Sequence, residues 1–247
     1  MRKRIVLSAL SVLAVIAVTG CGSSSSGSAD VTVLSKAEAK KSLIGLDELG
    51  KGFRVSKDDE DDDSSMGCLD NFDGVDKVVK EPATEAEVDY EADSDIGLPG
   101  VFTAVASFKS LAQAEKGMAA VRKALKDCTA VDETDKDGAH FKLKISTDDD
   151  KAGPRADDEV NLNATGTIQT EGIEAPMAVH FALIRVDNHV IMNGIATVAE
   201  DARDEAKEIA EVSLSRFVAV LDGKPVPDQT LHLDKVDVSD ILGGGAA

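Results

Sequence analysis

Three cysteines, four histidines and a few tight clusters of acidic side chains are the places where this 247-residue chain could do chemistry. Cys21 stands in the stretch AVTGCGSSSSG, residues 17–27, between an apolar run and a tract of serines. Cys68 and Cys128 are far apart in sequence and lack both a C-x-x-C spacing and a nearby basic cluster. Neither therefore has the setting of a metal thiolate or of an activated nucleophile. The histidines are His140, His180, His189 and His232. His180 and His189 flank a turn signal and can approach one another across a hairpin. No third ligand or carboxylate partner accompanies them, so they read as structural. The chain contains no G-x-S-x-G elbow, H-E-x-x-H helix, Walker loop or G-x-G-x-x-G. No catalytic residue, metal site or cofactor site is assigned.

Two stretches suggest calcium, NFDG at 71–74 and DETDKDG at 132–138. With each glycine at the sixth position of an EF-hand loop, the twelfth positions fall on Lys80 and Lys144, where a bidentate glutamate is needed. Both fail. The six acidic residues Asp58–Asp63 remain open to weak cation binding, although such a run is ordinarily a solvated loop. Asn163-Ala164-Thr165 fits a glycosylation sequon, which the bacterial export signal at the N-terminus argues against.

That signal begins with Arg2, Lys3 and Arg4 and continues with a largely apolar run from Ile5 to Val18. The run is shorter than the ~20 residues a spanning helix needs. Val18-Thr19-Gly20-Cys21 resembles a bacterial lipobox, in which Cys21 is diacylated and becomes the first mature residue. Two acyl chains give stable anchoring without a transmembrane helix. Residues 22–28, glycine and serine only, read as a tether. The expected partner is thus a membrane, reached through a diacylglyceryl cysteine, with the protein on the extracytoplasmic face. The formal charge is −19, and removing the three basic residues of the signal makes it −22. Such a surface repels phosphate, which argues against nucleic acid and against direct docking on anionic lipid.

An exported chain with two remaining cysteines reads as having one disulfide, Cys68–Cys128. Closing a loop of that length is worth ~4 kcal/mol in the chain-entropy model.

The elements that must position these residues follow from hydrophobic period. Ser35 and Glu38 form a capping box before KAEAKKSLIGLDELG, a helix with Ala39, Leu43, Leu46 and Leu49 inward and Gly50 as its stop. TEAEVDYEAD, residues 84–93, alternates strictly, with Ala86, Val88, Tyr90 and Ala92 on one side and acidic residues on the other. VFTAVASF is a second strand. KSLAQAEKGMAAVRKALKDC sets Leu111, Ala114, Met118, Val121, Leu125 and Cys128 on one helical stripe. AHFKLKIST and EVNLNATGTIQ alternate again. MAVHFALIRV and HVIMNGIATV, joined through Asp187-Asn188, form a hairpin of central strands. DDDKAGPRADD reads as a flexible connection. DARDEAKEIAEVSLSRFVAVLD is a second long helix, with Ala206, Ile209, Ala210, Phe217 and Val220 inward. Acidic Glu85–Asp93 either pairs with Lys142 and Lys144 on a neighbouring strand or is left as a docking face.

The expected fold class is α+β: an antiparallel β-sheet with two long helices packed on one face, in a single domain. Residues 1–20 are the signal peptide, 21–34 the lipidated cysteine and tether, 35–222 the extracytoplasmic domain, and 223–247 a flexible tail.

The assembled pattern resembles the PknH-like extracellular sensor domains and related lipoproteins of actinobacteria. The carrying features are SLIGLDELGKGF, Cys68 after a variable loop, the strand-to-helix segment VASFKSLAQAEKGMAAVRKALKDC, and the long finish FALIRVDNHVIMNGIATVAEDARDEAKEIAEVSLSRF. Together they cover about residues 34–221. The resemblance implies a cleft suited to binding and no catalytic residues. It also implies members with a second disulfide, which this chain cannot make, and these residues contain no kinase domain. The reading is a non-enzymatic binding or sensor module with a small-molecule or envelope-protein partner. The competing reading is an acidic scaffold or cation-buffering lipoprotein without a pocket. A partly apolar groove between sheet and helices favours the first, and a filled interface would sink it.

Overall fold

Strict alternation along the strands gives every residue a side, and the sides determine how the chain is covered. The structure is a computed structural model that describes residues 31–56, 68, 81–93, 98–135, 138–170, 172–198 and 201–233. Cys21, NFDG and the acidic run Asp58–Asp63 lie outside the described residues.

The strands are β1 (Phe53–Val55), β2 (Thr84–Ala92), β3 (Gly100–Ser107), β4 (Ala130–Thr134), β5 (His140–Asp148), β6 (Asp158–Thr170), β7 (Ile173–Val186) and β8 (His189–Thr197). They form one antiparallel sheet in the order β1-β2-β3-β8-β7-β6-β5-β4. The β7–β8 hairpin stands at its centre, as its dense apolar sequence implied. Its turn is Asp187-Asn188, with Asp187 in the left-handed region (φ 51°) that aspartate tolerates. The helices are α1 (Lys36–Ser42), α2 (Leu46–Leu49), α3 (Leu111–Lys126) and α4 (Arg203–Leu221). The antiparallel α+β class is what the chain adopts.

The two long helices do not share a face. Met118, Val121 and Leu125 of α3 pack with Phe102, Val160, Leu162, Val179 and Phe181 of the strands. Ala210, Leu214 and Phe217 of α4 pack with Val105, Ala182, Ile184 and Ile191, which are the alternate residues of the same strands. The cause is visible in β7, which is apolar on both sides. Met177, Val179 and Phe181 face α3, while Ala178, Ala182 and Ile184 face the other way. A strand apolar on both faces needs cover on both.

The first helix is broken in two. The capping box of Ser35 and Glu38 forms, and Gly50 (φ 80°) ends α2, yet the chain leaves helical geometry at Leu43 and restarts after Gly45. The break is pinned: the Tyr90 hydroxyl donates to the Ile44 carbonyl at 2.7 Å, and Arg216 Nε donates to the Leu43 carbonyl at 2.8 Å. Ile44 is thereby buried while Leu46 is exposed. Leu111, placed on the inward stripe of α3, is likewise exposed.

Two segments expected to be loose are packed. In the 149–157 connection, Lys151 Nζ donates to the Ala156 carbonyl, the Ala152 N–H donates to Glu159, and Ala156 is buried. The chain beyond residue 222 runs back along α4, where Leu231 and Leu233 are buried beside Ile44, Leu49, Ile209 and Val212. The Leu231 N–H donates to the Glu48 carbonyl at 2.8 Å. The packed domain thus extends at least to residue 233, because the alternation in Leu231-His232-Leu233 supplies two more core side chains.

Candidate functional site

The sheet face that carries α3 is covered unevenly. Phe102 on β3 and Phe181 on β7 both stand opposite Gly194 on the intervening β8. Their rings meet over that glycine, with centroids 4.6 Å apart. A Cβ on Gly194 would lie 2.4 Å from the Phe102 ring and 2.3 Å from the His180 carbonyl oxygen. Only glycine permits this aromatic pair. The apolar part of the next rows of the same face runs Ala104–Met192–Leu183 and Ala106–Val190, the second row ending on β7 in Arg185, which is ion-paired with Asp157. All five of the apolar side chains are only half-buried. They form an apolar strip whose methionine can adapt to an incoming shape.

One side of the strip is acidic. Glu85, Glu87, Asp89 and Glu91 of β2 project from this face, opposite Ala106, Ala104, Phe102 and Gly100. Arg54 of β1 closes one end, with Nε 2.7 Å from Glu91 and an ion pair to Asp93. Burial raises the proton affinity of the Glu85 carboxyl, and the nearby Glu87 and Glu81 raise it further. Negative charge is thus concentrated along this rim.

The other side is α3, cross-linked at its C-terminal end. Cys128 is bonded to Cys68, the pairing expected from sequence. Arg122 forks between Asp149 (2.7 Å), Asp158 and the Glu159 carbonyl (2.8 Å). The N-terminal half of α3 is held by packing, with Ala114 and Met118 buried, while Leu111 lies in solvent.

The other residues singled out from sequence are dispersed. β2 and β5 are separated by β3, β8, β7 and β6, so Lys142 and Lys144 do not pair with the acidic strand. Asp132 and Asp135, from the calcium-like stretch, lie on β4 and in its turn, where Asp135 accepts from the Ala139 N–H at 2.8 Å. His140 Nε2 lies 3.1 Å from Asp132, and His232 bonds Glu208 at the surface. Asn163 of the sequon is already engaged: its Oδ1 accepts from His180 Nδ1 at 2.7 Å and its Nδ2 donates to Asp148 at 2.9 Å.

His180 and His189 both lie beneath α4, and the hairpin does not bring them together. His180 pairs with Ile195 and His189 with Val186, roughly 20 Å apart at ~3.3 Å per residue along β8. His180 Nε2 accepts from the Ala202 N–H at the start of α4, which fixes a neutral ring with its proton on Nδ1. Burial holds its pKa down at about 4, opposed by Asp201. His189 is also lowered to about 4 by burial, and its Nδ1 lies 2.9 Å from the Ser107 hydroxyl, which accepts from the Leu34 N–H. These are structural groups. Among the described residues, no three His, Cys, Asp or Glu side chains are grouped to hold a metal ion.

Sequence reasoning missed the Phe102–Gly194–Phe181 row. Its one signal was a lone glycine within the apolar strand HVIMNGIATV, the mark of a close approach.

This architecture is a family's. A family model described as the PknH-like extracellular domain matches residues 34–216, and the chain belongs to that family. The crystal structure of the extracellular domain of PknH from Mycobacterium tuberculosis superposes with a TM-score of 0.53 at 14% identity, covering 78% of this chain and 99% of that one. At that identity the likeness concerns the fold. Among curated proteins, none matches this sequence. No helix among the described residues is long and apolar enough to cross a membrane.

Proposed function

We propose that this protein is a lipid-anchored, extracytoplasmic sensor-like module without catalytic residues, whose ligand lies along the half-open strip beside α3. Membership in an extracellular-domain family supports the location, and the lipobox at Cys21 supports the anchor. One observation carries the binding site. On a single sheet, one face is sealed by α1 and α4, while the other leaves Ala104, Ala106, Leu183, Val190 and Met192 half-exposed beside an acidic rim. Half-open apolar surface next to concentrated charge suits a ligand with an apolar body and a cationic end.

An alkyltrimethylammonium and an alkyl sulfate of equal chain length, both below micelle-forming concentration, test this by calorimetry on the mature protein. The ammonium is expected to bind at least tenfold more tightly, and Met192→Arg is expected to abolish the difference. Equal affinities, or no binding, overturn the reading and favour an acidic surface protein without a pocket. For the anchor, Cys21→Ala is expected to move the protein from the membrane to the soluble fraction or leave it unprocessed. Unchanged fractionation refutes it.

A further inference from the structure

The sealed face beneath α4 contains two apolar clusters. Val101, Ile195, Ile209 and Val212 belong to one; Val105, Ile191, Ala210, Leu214 and Phe217 belong to the other. The row of the sheet between them is polar. Thr103 and Asn193 are direct cross-strand partners, lying between the Val101–Ile195 row and the Val105–Ile191 row. On the helix side, Ser213 stands one turn after Ile209 and one turn before Phe217, over the same row.

All three side chains are buried, Asn193 completely and Thr103 and Ser213 to within 1%. The Thr103 hydroxyl, both ends of the Asn193 amide and the Ser213 hydroxyl have no hydrogen-bond partner among the described residues. Buried polar groups in folded proteins are almost always satisfied, because leaving them bare forfeits the bonds they made to water.

We propose that Thr103, Asn193 and Ser213 form an internal water site at the seam between the two clusters. The chemistry selects water over an ion. The three side chains are uncharged, and the residues flanking them on β3 and β8, Val101, Val105, Ile191 and Ile195, are aliphatic, so a bare charge would go uncompensated. Water both donates and accepts, as do the amide and the two hydroxyls, and a buried water needs two to four such partners. The neighbours are small: Ala182 is the other cross-strand partner of Asn193, and Ala210 lies three residues before Ser213 on α4.

A crystal structure of the mature protein at a resolution that shows ordered solvent is expected to place at least one water within hydrogen-bond distance of the Asn193 amide and one of the hydroxyls. A dry seam overturns the proposal. In solution, the Asn193 side-chain amide protons should show a dipolar cross-peak to water, distinguished from proton exchange by its sign in the rotating frame. The triple variant Thr103→Val/Asn193→Leu/Ser213→Ala removes every partner at once and is expected to bind no water there while keeping or gaining thermal stability. If that variant does not fold, the cross-peak of the wild type decides alone, and its absence refutes the site.

Discussion

Beneath α4 the side chains of Ile191, Ile195, Ile209 and Phe217 are all 1% exposed or less, while across the same strands Leu183, Val190 and Met192 keep part of their surface in solvent. The strands are identical, so the difference lies in what covers them. α4 lies along the central hairpin, and α1, the α1–α2 break and the returning Leu231–Leu233 segment pack around it. α3 lies against the opposite face, where the disulfide and Arg122 at its C-terminal half add to the packing of Met118, Val121 and Leu125. The sheet is therefore sealed on one side and, beside the core packed under α3, partly open along one strip on the other, and strand alternation assigns each residue to one of the two.

The contrast makes Phe217→Ala the harshest test of the closed side. Truncating a fully buried phenylalanine is expected to cost about 3–5 kcal/mol in denaturant unfolding. Probe affinity of the fraction still folded should be unchanged. A parallel loss of affinity would break the division between the faces.

The disulfide lies on the other side of that division. Replacing Cys68 and Cys128 together by serine should cost about 4 kcal/mol of unfolding free energy for a sequence separation of 60 residues. Here probe affinity should fall as well, since the bond holds the end of α3. If stability falls and affinity does not, α3 is not a wall of the site.

On the closed side acid should act through two buried rings, and least strongly per group. His180 and His189 bind protons more weakly in the folded chain (about 4) than at the ordinary value of 6.5. The unfolded chain therefore takes up protons first as pH falls. The stability these rings allow is intact above about pH 6.5, declines between 6.5 and 4, and is fully lost below, at roughly 3 kcal/mol per ring. His180→Gln removes one titration while keeping an uncharged polar side chain. Its unfolding free energy should change less between pH 7 and pH 4 than that of the wild type, and an equal change would exclude His180 as a contributor.

Where one side chain after another repeats a period, the sequence was legible. Ala86, Val88 and Tyr90 turn inward on β2, Phe141, Leu143 and Ile145 on β5, and the Asp187-Asn188 hairpin lies where its turn chemistry placed it. The short edge strands were invisible because they carry little pattern; Val131 is the only buried residue of β4. The α1–α2 break was hidden because Leu43, Leu46 and Leu49 keep helical spacing through it. What interrupts the helix is tertiary, namely the hydroxyl of Tyr90 and the guanidinium of Arg216 claiming its carbonyls. The opposed helices were in principle readable, since strands apolar on both sides cannot be covered from one. The strip was harder to see, because its residues are ordinary strand residues until the sheet order sets β2 beside β3 and β3 beside β8.

The Asn188 amide holds the Thr32 carbonyl at 2.9 Å, so the chain arriving from Cys21 is clamped at the β7–β8 turn. Under the proposed anchor, the leash is then only the stretch from Cys21 to Thr32, which spans at most about 40 Å when fully extended. That end of the molecule also carries Asp157 and Asp187, which anionic headgroups would repel. The domain would be tied short and pushed away at once. It would stand off the bilayer with the turn pointing down and the strands upright, and the flank beside α3 open to whatever diffuses along the envelope.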